Sequence, residues 1–202
     1  MVNTVYSIGY SGFSFNDFVA VLKRHNISLI VDVRSYPFSN HFPDYNKDTL
    51  EISLKAHGIY YRNYAYEFGA RQEDRSFYCN DGYLDFDVFS KSEPFLQGVT
   101  KLCKSMEQNY TFALMCAEKD PINCHRTILV SRAFFERGYK VIHLLSNGET
   151  VAHTEINRRL IEKYYPNRHQ MTLFGDIQDD DTLLEMAYRK QNAEIGYRME
   201  EL

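Results

Sequence analysis

Leu29-Ile30-Val31-Asp32-Val33 is the stretch of this sequence that most directly indicates its fold. Four of the five residues are aliphatic, and such a continuous run predicts a strand that is buried on both faces, as strands of parallel sheets are. Similar short apolar runs occur at Val5–Ile8, Ile59–Tyr61, Thr111–Cys116 and Val141–Leu145, and helical patterns lie between most of them. This alternation predicts an α/β protein with a mainly parallel sheet and helices on both faces, a Rossmann-like three-layer arrangement.

The composition is that of an ordinary globular protein, with 202 residues, 44% hydrophobic and 25% charged. Its net charge of -4 excludes a strongly basic protein that coats nucleic acid, but leaves room for a local basic cleft. No apolar run approaches the ~18 residues of a membrane span, so no membrane association is expected. The four cysteines form no C-x-x-C pair, and we interpret them as reduced thiols of a cytoplasmic protein.

Two regions differ in character, and they predict a core with an appendage. Residues 1–150 carry the strand and helix alternation and form the predicted α/β core domain. Within it, residues 62–90 lose all periodicity and predict a long irregular loop, rich in aromatic and basic residues, that could stack bases or serve as a lid packed on the core. Residues 151–202 predict a helical C-terminal extension that packs on that core.

Reactive and polar groups follow three of the predicted strands. These segments are Gly9-Tyr10-Ser11-Gly12, Asp32-Val33-Arg34 and the stretch from Cys116 to Arg126. Ligands of open α/β sheets bind at the carboxyl ends of the strands, so we expect the three segments to form one site. The catalytic candidates are Cys116, Glu118, Cys124 and His125. The substrate-binding candidates are Gly9, Tyr10, Ser11, Asp32, Arg34 and Arg126.

Several kinds of chemistry fit these residues. A thiolate at Cys116 or Cys124 could be a nucleophile with His125 as its base, and Glu118 could transfer protons. Cys116, Cys124 and His125 could instead bind a metal, although adjacent Cys-His ligands are awkward on one helical turn. The loop amides and Arg126 could simply bind a phosphate. The residues specify no cofactor, and each also has a purely structural interpretation, such as a buried thiol or an ion pair.

The same segments resemble the family called domain of unknown function 488. Its motifs are I-G-Y-S, D-V-R, C-x-E and C-H-R, which stand here in order as Ile8–Ser11, Asp32–Arg34, Cys116–Glu118 and Cys124–Arg126. The resemblance spans about residues 4–146. It implies an α/β fold and this set of site residues, but the function of the family is not established, so it implies no reaction.

A second likeness concerns the rhodanese sulfurtransferases, which also combine an Asp-Val-Arg strand end with a later cysteine loop. Here Leu29–Arg34 and Phe112–Arg126 are similar to that layout. The loop between Cys116 and the predicted helix start near Cys124 is long and contains Pro121, whereas a rhodanese loop closes tightly round one cysteine. Sulfur transfer is therefore a lesser alternative.

The tail contains a short motif at Gln170-Met171-Thr172-Leu173-Phe174. It resembles the pentapeptide by which bacterial DNA repair and replication proteins dock on the sliding clamp, with Gln170, Leu173 and Phe174 as contact residues. Leu173 and Phe174 could instead pack the tail against the core, and we favour this interpretation for so short a pattern.

These observations lead to one functional expectation and its alternatives. We expect an intracellular enzyme with a Cys/Glu/His/Arg site that acts on a nucleic acid or a nucleotide-like anion. The alternatives are a non-catalytic module that binds phosphate or nucleic acid, and a thiol, sulfur-transfer or metal-binding protein.

Overall fold

The computed structural model describes residues 3–168 and 179–199, so the tail motif at Gln170, Leu173 and Phe174 lies outside the described residues. Six strands form one sheet in the described part of the chain: β1 (Thr4–Gly9), β2 (Leu29–Asp32), β3 (Tyr60–Asn63), β4 (Phe112–Cys116), β5 (Lys140–Leu144) and β6 (Thr150–Ala152). The α-helices are α1 (Phe15–Arg24), α2 (Lys47–Ala56), α3 (Ala65–Phe68), α4 (Phe86–Phe89), α5 (Glu93–Glu107), α6 (Arg132–Phe135), α7 (His153–Tyr164) and α8 (Asp180–Ile195). A π-helical turn, Arg126–Ser131, leads into α6, and short 3-10 turns occur at Pro43–Tyr45, Arg75–Phe77 and Pro121–Asn123.

The strands lie in the order β3-β2-β4-β1-β5-β6. The first five are parallel, and only β6 runs antiparallel to its neighbour β5. The predicted mainly parallel α/β sheet is therefore confirmed. Its order differs from the usual Rossmann order, because β4 lies between β2 and β1.

Helices cover both faces of the sheet, as predicted. Crossovers between parallel strands are right-handed, so α1 and α2, which lead toward β3, lie on one face, and α5 and the π-helical turn, which lead back, lie on the other. Ile30 of β2 packs with Phe18 of α1 and Leu54 of α2 on the first face. Val31 packs on the opposite face with Phe95 of α5. The result is a three-layer protein with one apolar core on each side of the sheet.

The turn between β1 and α1 forms as its sequence predicts. Gly12 has a φ of +97°, a left-handed conformation that favours glycine. Ser14 then caps α1 and accepts a hydrogen bond from the backbone N–H of Asp17 at 3.2 Å.

Residues 62–90 are less irregular than the sequence indicated. They begin with the end of β3 and contain α3, the Arg75–Phe77 turn and α4. Phe68 and Phe89 are fully buried, and Tyr64 stacks on Phe68 with ring centroids 5.5 Å apart. Tyr66 is an exception, with 70% of its surface exposed. Most of these aromatic side chains therefore build the core that supports the site.

Strand β6 and the helices α7 and α8 pack against the core through a chain of buried polar groups. The chain joins Ser7 Oγ to His143 Nδ1 at 2.7 Å, His143 Nε2 to His153 Nδ1 at 3.0 Å, and His153 Nε2 to the Tyr188 hydroxyl at 3.0 Å. The Tyr188 hydroxyl donates to Asn157 Oδ1 at 2.5 Å. Since this hydroxyl has one proton to donate, each imidazole must donate through Nε2 and accept through Nδ1.

None of the helices in residues 3–168 and 179–199 is both long enough and apolar enough to cross a membrane.

Candidate active site

The three predicted segments meet at the carboxyl edge of the sheet. Backbone hydrogen bonds join them beyond the strands: Tyr10 N–H donates to the Cys116 carbonyl at 3.0 Å, and Ser11 N–H donates to the Ala117 carbonyl at 3.0 Å. On the other side of β4, Val33 N–H donates to the Met115 carbonyl at 3.0 Å. Because β4 lies between β1 and β2, Cys116 lies between the other two segments.

Gly9 permits the closest approach within this edge. A Cβ atom at Gly9 would lie 1.8 Å from the Glu118 carbonyl oxygen, which no side chain could tolerate without movement. Arg126 Nη1 donates to the same carbonyl at 2.7 Å. The missing side chain of Gly9 therefore lets the loop after β4 settle over β1, where Arg126 holds it.

The loop after β4 positions its second cysteine and its histidine in different backbone conformations. Asp120 caps the turn Pro121–Asn123 and accepts from the backbone N–H of Ile122 at 3.2 Å. Cys124 is extended, with φ -135° and ψ 134°, whereas His125 is helical, with φ -59° and ψ -27°. His125 directly precedes the π-helical turn, an irregularity that often occurs at functional sites.

Two sulfurs and one imidazole nitrogen form the centre of the site. Cys116 Sγ, Cys124 Sγ and a ring nitrogen of His125 lie within 4.8 Å of one another. His125 Nδ1 faces Cys116 Sγ at 3.9 Å, and His125 Nε2 donates to the Val33 carbonyl at 2.9 Å. Because the carbonyl can only accept, the proton of a neutral His125 resides on Nε2, and the lone pair of Nδ1 points at the thiols.

Glu118 lies at the solvent side of this centre. Its Oε2 accepts a hydrogen bond from Cys124 Sγ at 3.0 Å. The Glu118 residue is exposed and His125 is partly exposed, whereas Cys116 and Cys124 are both buried. Of these four residues, Glu118 is therefore the most accessible to solvent.

The environment separates the pKa values of the two thiols. The hydrogen bond with Cys124 and burial raise the pKa of Cys116 well above its ordinary value. Burial also acts to raise the pKa of Cys124, but the contact with Cys116 and the charge of Arg126 prevail and lower it. The pair therefore favours a single negative charge.

The carboxylate and imidazole beside the thiols also have shifted pKa values. Burial and the neighbouring Cys124 raise the pKa of Glu118. For His125, burial acts to lower the pKa, but the contacts with Cys124 and the Val33 carbonyl prevail and raise it. The two shifts bring the pKa values of Cys124 and Glu118 closer together than those of a free thiol and a free carboxyl.

Asp32 and Arg34 form a buried ion pair behind this centre. Arg34 Nε and Nη2 donate to the two oxygens of Asp32 at 2.9 and 2.6 Å, and the Tyr61 hydroxyl donates to Asp32 at 2.6 Å. Arg34 Nη2 also donates to the Tyr45 carbonyl at 2.8 Å. The guanidinium lies 5.1 Å from the ring centroid of Tyr10. Asp32 therefore pairs with Arg34, and the Arg34 guanidinium in turn packs against the ring of Tyr10.

Arg126 is the most enclosed charged residue of the site, with 0% of its surface exposed. Apart from the bond to the Glu118 carbonyl, its Nε and Nη2 atoms have no hydrogen-bond partner among the described residues. The sequence suggested that Arg126 binds an anion at a helix start. The structure places its charge beneath the loop, where it lowers the pKa of Cys124.

A separate cavity of about 350 Å³ is lined by Lys119, the residue that follows Glu118 in the chain. It lies where the turn after β1, the loop after β4 and the loop after β5 approach one another, and a Cβ at Gly12 would lie 3.1 Å from Ser146 Oγ. Arg159 donates to both oxygens of Asp120 at its wall, at 3.1 and 2.8 Å. The lining residues are Lys119, Asp120, Pro121, Leu145, Ser146, Asn147 and Arg159.

The structure brings together Cys116, Glu118, Cys124, His125 and Arg126, with Gly9, Tyr10 and Ser11 beside them and Asp32 and Arg34 behind. Sequence reasoning missed the Val33 carbonyl, Tyr45 and Tyr61, because no local pattern shows which atoms contact a site from another strand. It also missed the cavity lined by Lys119, although Lys119 directly follows the C-x-E motif.

Fold and site together define a three-layer α/β protein with a cysteine, histidine and glutamate centre at the carboxyl edge of its sheet. Residues 14–133 match the family described as Domain of unknown function DUF488, and the chain belongs to that family. The matched range includes the D-V-R, C-x-E and C-H-R segments, while the I-G-Y-S segment lies just before it. No curated protein and no solved structure matches the chain.

Proposed function

We propose that this protein is an enzyme whose reaction centre is the set Cys116, Glu118, Cys124 and His125, acting on a nucleic acid or a nucleotide-like anion. One observation carries the proposal: two buried thiols, an imidazole with its lone pair directed at them and a solvent-facing carboxylate converge at the edge of the sheet where α/β proteins bind ligands. A purely structural cluster has no need of a carboxylate open to solvent.

The surroundings of the centre support an anionic substrate with aromatic parts. Lys119, the residue that follows Glu118, is exposed and lines a cavity, where it could contact a phosphate. On the other side, Phe42 contacts the ring of Tyr10 at 5.5 Å and is 39% exposed. Tyr36 and Phe38 on the same loop are 67% and 50% exposed. Exposed aromatic side chains can stack bases, and a cation such as Lys119 can neutralise a phosphate.

Glu118 is the group to which we assign proton transfer. It contacts a thiol directly, and it is the most exposed residue of the reaction centre. A carboxylate in that position can accept a proton from a thiol or a water molecule and return it to a leaving group. Replacing it by the amide removes this ability and leaves the shape almost unchanged.

The test compares Glu118→Gln with Glu51→Gln, the same chemical change on the exposed surface of α2. Both variants and the parent protein are incubated with a panel of nucleotides, single-stranded and duplex oligonucleotides, and both binding and product formation are measured. We expect the parent and Glu51→Gln to convert at least one class of substrate, and Glu118→Gln to lose ~100-fold or more of the rate with binding retained.

Two results would overturn the proposal. Binding of a nucleic acid by all three proteins without any conversion would indicate a non-catalytic binding module. Neither binding nor conversion across the panel would exclude the proposed substrate class.

A further inference from the structure

We propose that Cys116, Cys124 and His125 bind one divalent transition-metal ion of the zinc class and leave its fourth coordination position open next to Glu118. Metal binding follows from these residues alone. Its use in a reaction rests on the function proposed above.

The spacing of the three ligand atoms suits a tetrahedral ion. With Zn–S and Zn–N distances of ~2.3 and ~2.0 Å, ligand atoms of a tetrahedral site lie roughly 3.5–3.8 Å apart. Cys116 Sγ and His125 Nδ1 are 3.9 Å apart, and the three ligand atoms lie within 4.8 Å of one another. Closing round an ion therefore needs side-chain movements of about 1 Å or less. Thiolate and imidazole together favour zinc over magnesium or calcium.

The Val33 carbonyl prepares His125 for this role. A histidine that binds a metal through one ring nitrogen nearly always donates its other N–H to a carbonyl or a carboxylate, which fixes the ring and its tautomer. His125 Nε2 donates to Val33 O at 2.9 Å, and Nδ1 is the nitrogen that faces Cys116. The imidazole is thus already oriented as a metal ligand.

Adjacent Cys and His ligands would be awkward on one helical turn, but Cys124 and His125 do not share a helical turn. Cys124 is extended, while His125 has helical dihedrals. The two side chains therefore leave the backbone in different directions and still reach one point. Cys116 joins them from the end of β4, so that the loop from β4 to the π-helical turn would close round the ion.

Electrostatics around the ligands also suit an ion with two thiolates. The positive charge of the ion balances the charges of Cys116 and Cys124. The buried guanidinium of Arg126, whose Nε and Nη2 have no hydrogen-bond partner among the described residues, adds a further positive charge beneath the loop. Two buried thiolates that share a doubly charged ion avoid the cost of uncompensated negative charge.

The open fourth position distinguishes a catalytic site from a structural one. Structural zinc sites have four protein ligands, whereas catalytic sites have three and keep a position for water or substrate. Glu118 Oε2 lies 3.0 Å from Cys124 Sγ, on the solvent side of the three ligands. There its carboxylate is placed to accept a hydrogen bond from a water molecule in the fourth position.

The experiment titrates reduced, chelator-treated protein with Co²⁺ as a spectroscopic probe and measures Zn²⁺ affinity by competition with a chromophoric chelator. We expect one ion per chain, tetrahedral d–d bands and a thiolate-to-cobalt charge-transfer band. Cys116→Ser, Cys124→Ser and His125→Gln should each weaken Zn²⁺ binding by more than the ~10–100-fold typical of losing an outer-shell partner. Cys103→Ser, which changes a half-buried thiol of α5, and Glu118→Gln should retain the ion.

Should a cysteine variant fail to fold, the parent protein still provides a test. Zn²⁺ should protect Cys116 and Cys124 from alkylation, as mapped by mass spectrometry, and leave Cys79 unprotected. Absence of stoichiometric binding, a cobalt spectrum without the thiolate band, or equal affinity in Cys116→Ser and Cys103→Ser would overturn the metal site. Turnover that persists in excess chelator would refute the catalytic use of the metal but not the proposed enzymatic function. Metal binding without any turnover would refute the enzymatic function but not the metal site.

Discussion

Lowering the pH from 6.5 to 4.5 should destabilise this protein through the two buried histidines that join α7 and α8 to the sheet. His143 and His153 are each 1% exposed or less, and each is held neutral by a chain of hydrogen bonds in which every donor faces an acceptor. Burial and the facing His153, Arg126 and Arg159 lower the pKa of His143 well below its ordinary value. Burial and the nearby Arg132 lower the pKa of His153 to about 3.

The magnitude follows from the difference in bound protons. Unfolded histidine has a pKa of about 6.5, so below that pH the unfolded chain binds protons that folded His143 and His153 do not. Stability is therefore retained above pH 6.5 and lost as the pH falls toward the folded pKa values. Each histidine contributes about 1.4 kcal/mol per pH unit, which amounts to about 5 kcal/mol for the pair over two units. That loss is comparable to the whole stability of many domains.

Urea denaturation at a series of pH values measures this effect. His153→Gln will also lower stability at every pH, so the informative quantity is the slope of unfolding free energy against pH between 6.5 and 4.5. The slope should decrease by about 1.4 kcal/mol per pH unit in the variant and stay the same above pH 7.5, where both imidazoles are neutral in either state. An unchanged slope in the acidic range would refute the argument that folded His153 stays neutral.

Three further variants test how the site is supported. Gly9→Ala places a Cβ atom 1.8 Å from the Glu118 carbonyl, so it should cost about 1–3 kcal/mol of unfolding free energy; a variant as stable as the parent would contradict the close approach. Asp32→Asn leaves the buried charge of Arg34 unpaired and should cost about 3–5 kcal/mol, more than Tyr61→Phe, which removes one hydrogen bond to the same carboxylate. Thermal and urea denaturation measure both losses. If Asp32→Asn and Tyr61→Phe lose the same unfolding free energy, the ion pair contributes little.

Much of the fold was predictable because its signals are local. The continuous apolar run at Leu29–Val33 and the alternation of strands with helices predicted the layers, and the parallel sheet follows from them. The convergence of Gly9, Val33 and Cys116 was predictable in outline, since the carboxyl ends of parallel strands share one edge. Residues 62–90 were harder, because their aromatic side chains pack on distant elements and leave no periodicity in the sequence.

The sequence by itself therefore determined the layers, the edge at which the site lies and the chemical groups that reach it. Only the tertiary structure decided that β4 lies between β1 and β2, which puts Cys116 between Gly9 and Val33. The tertiary structure also placed the Val33 carbonyl where it accepts from His125 Nε2, so that the lone pair of Nδ1 faces the thiols. The physical reason is that periodicity records which face of an element is buried, whereas strand order and hydrogen-bond partners depend on how elements far apart in the chain pack together.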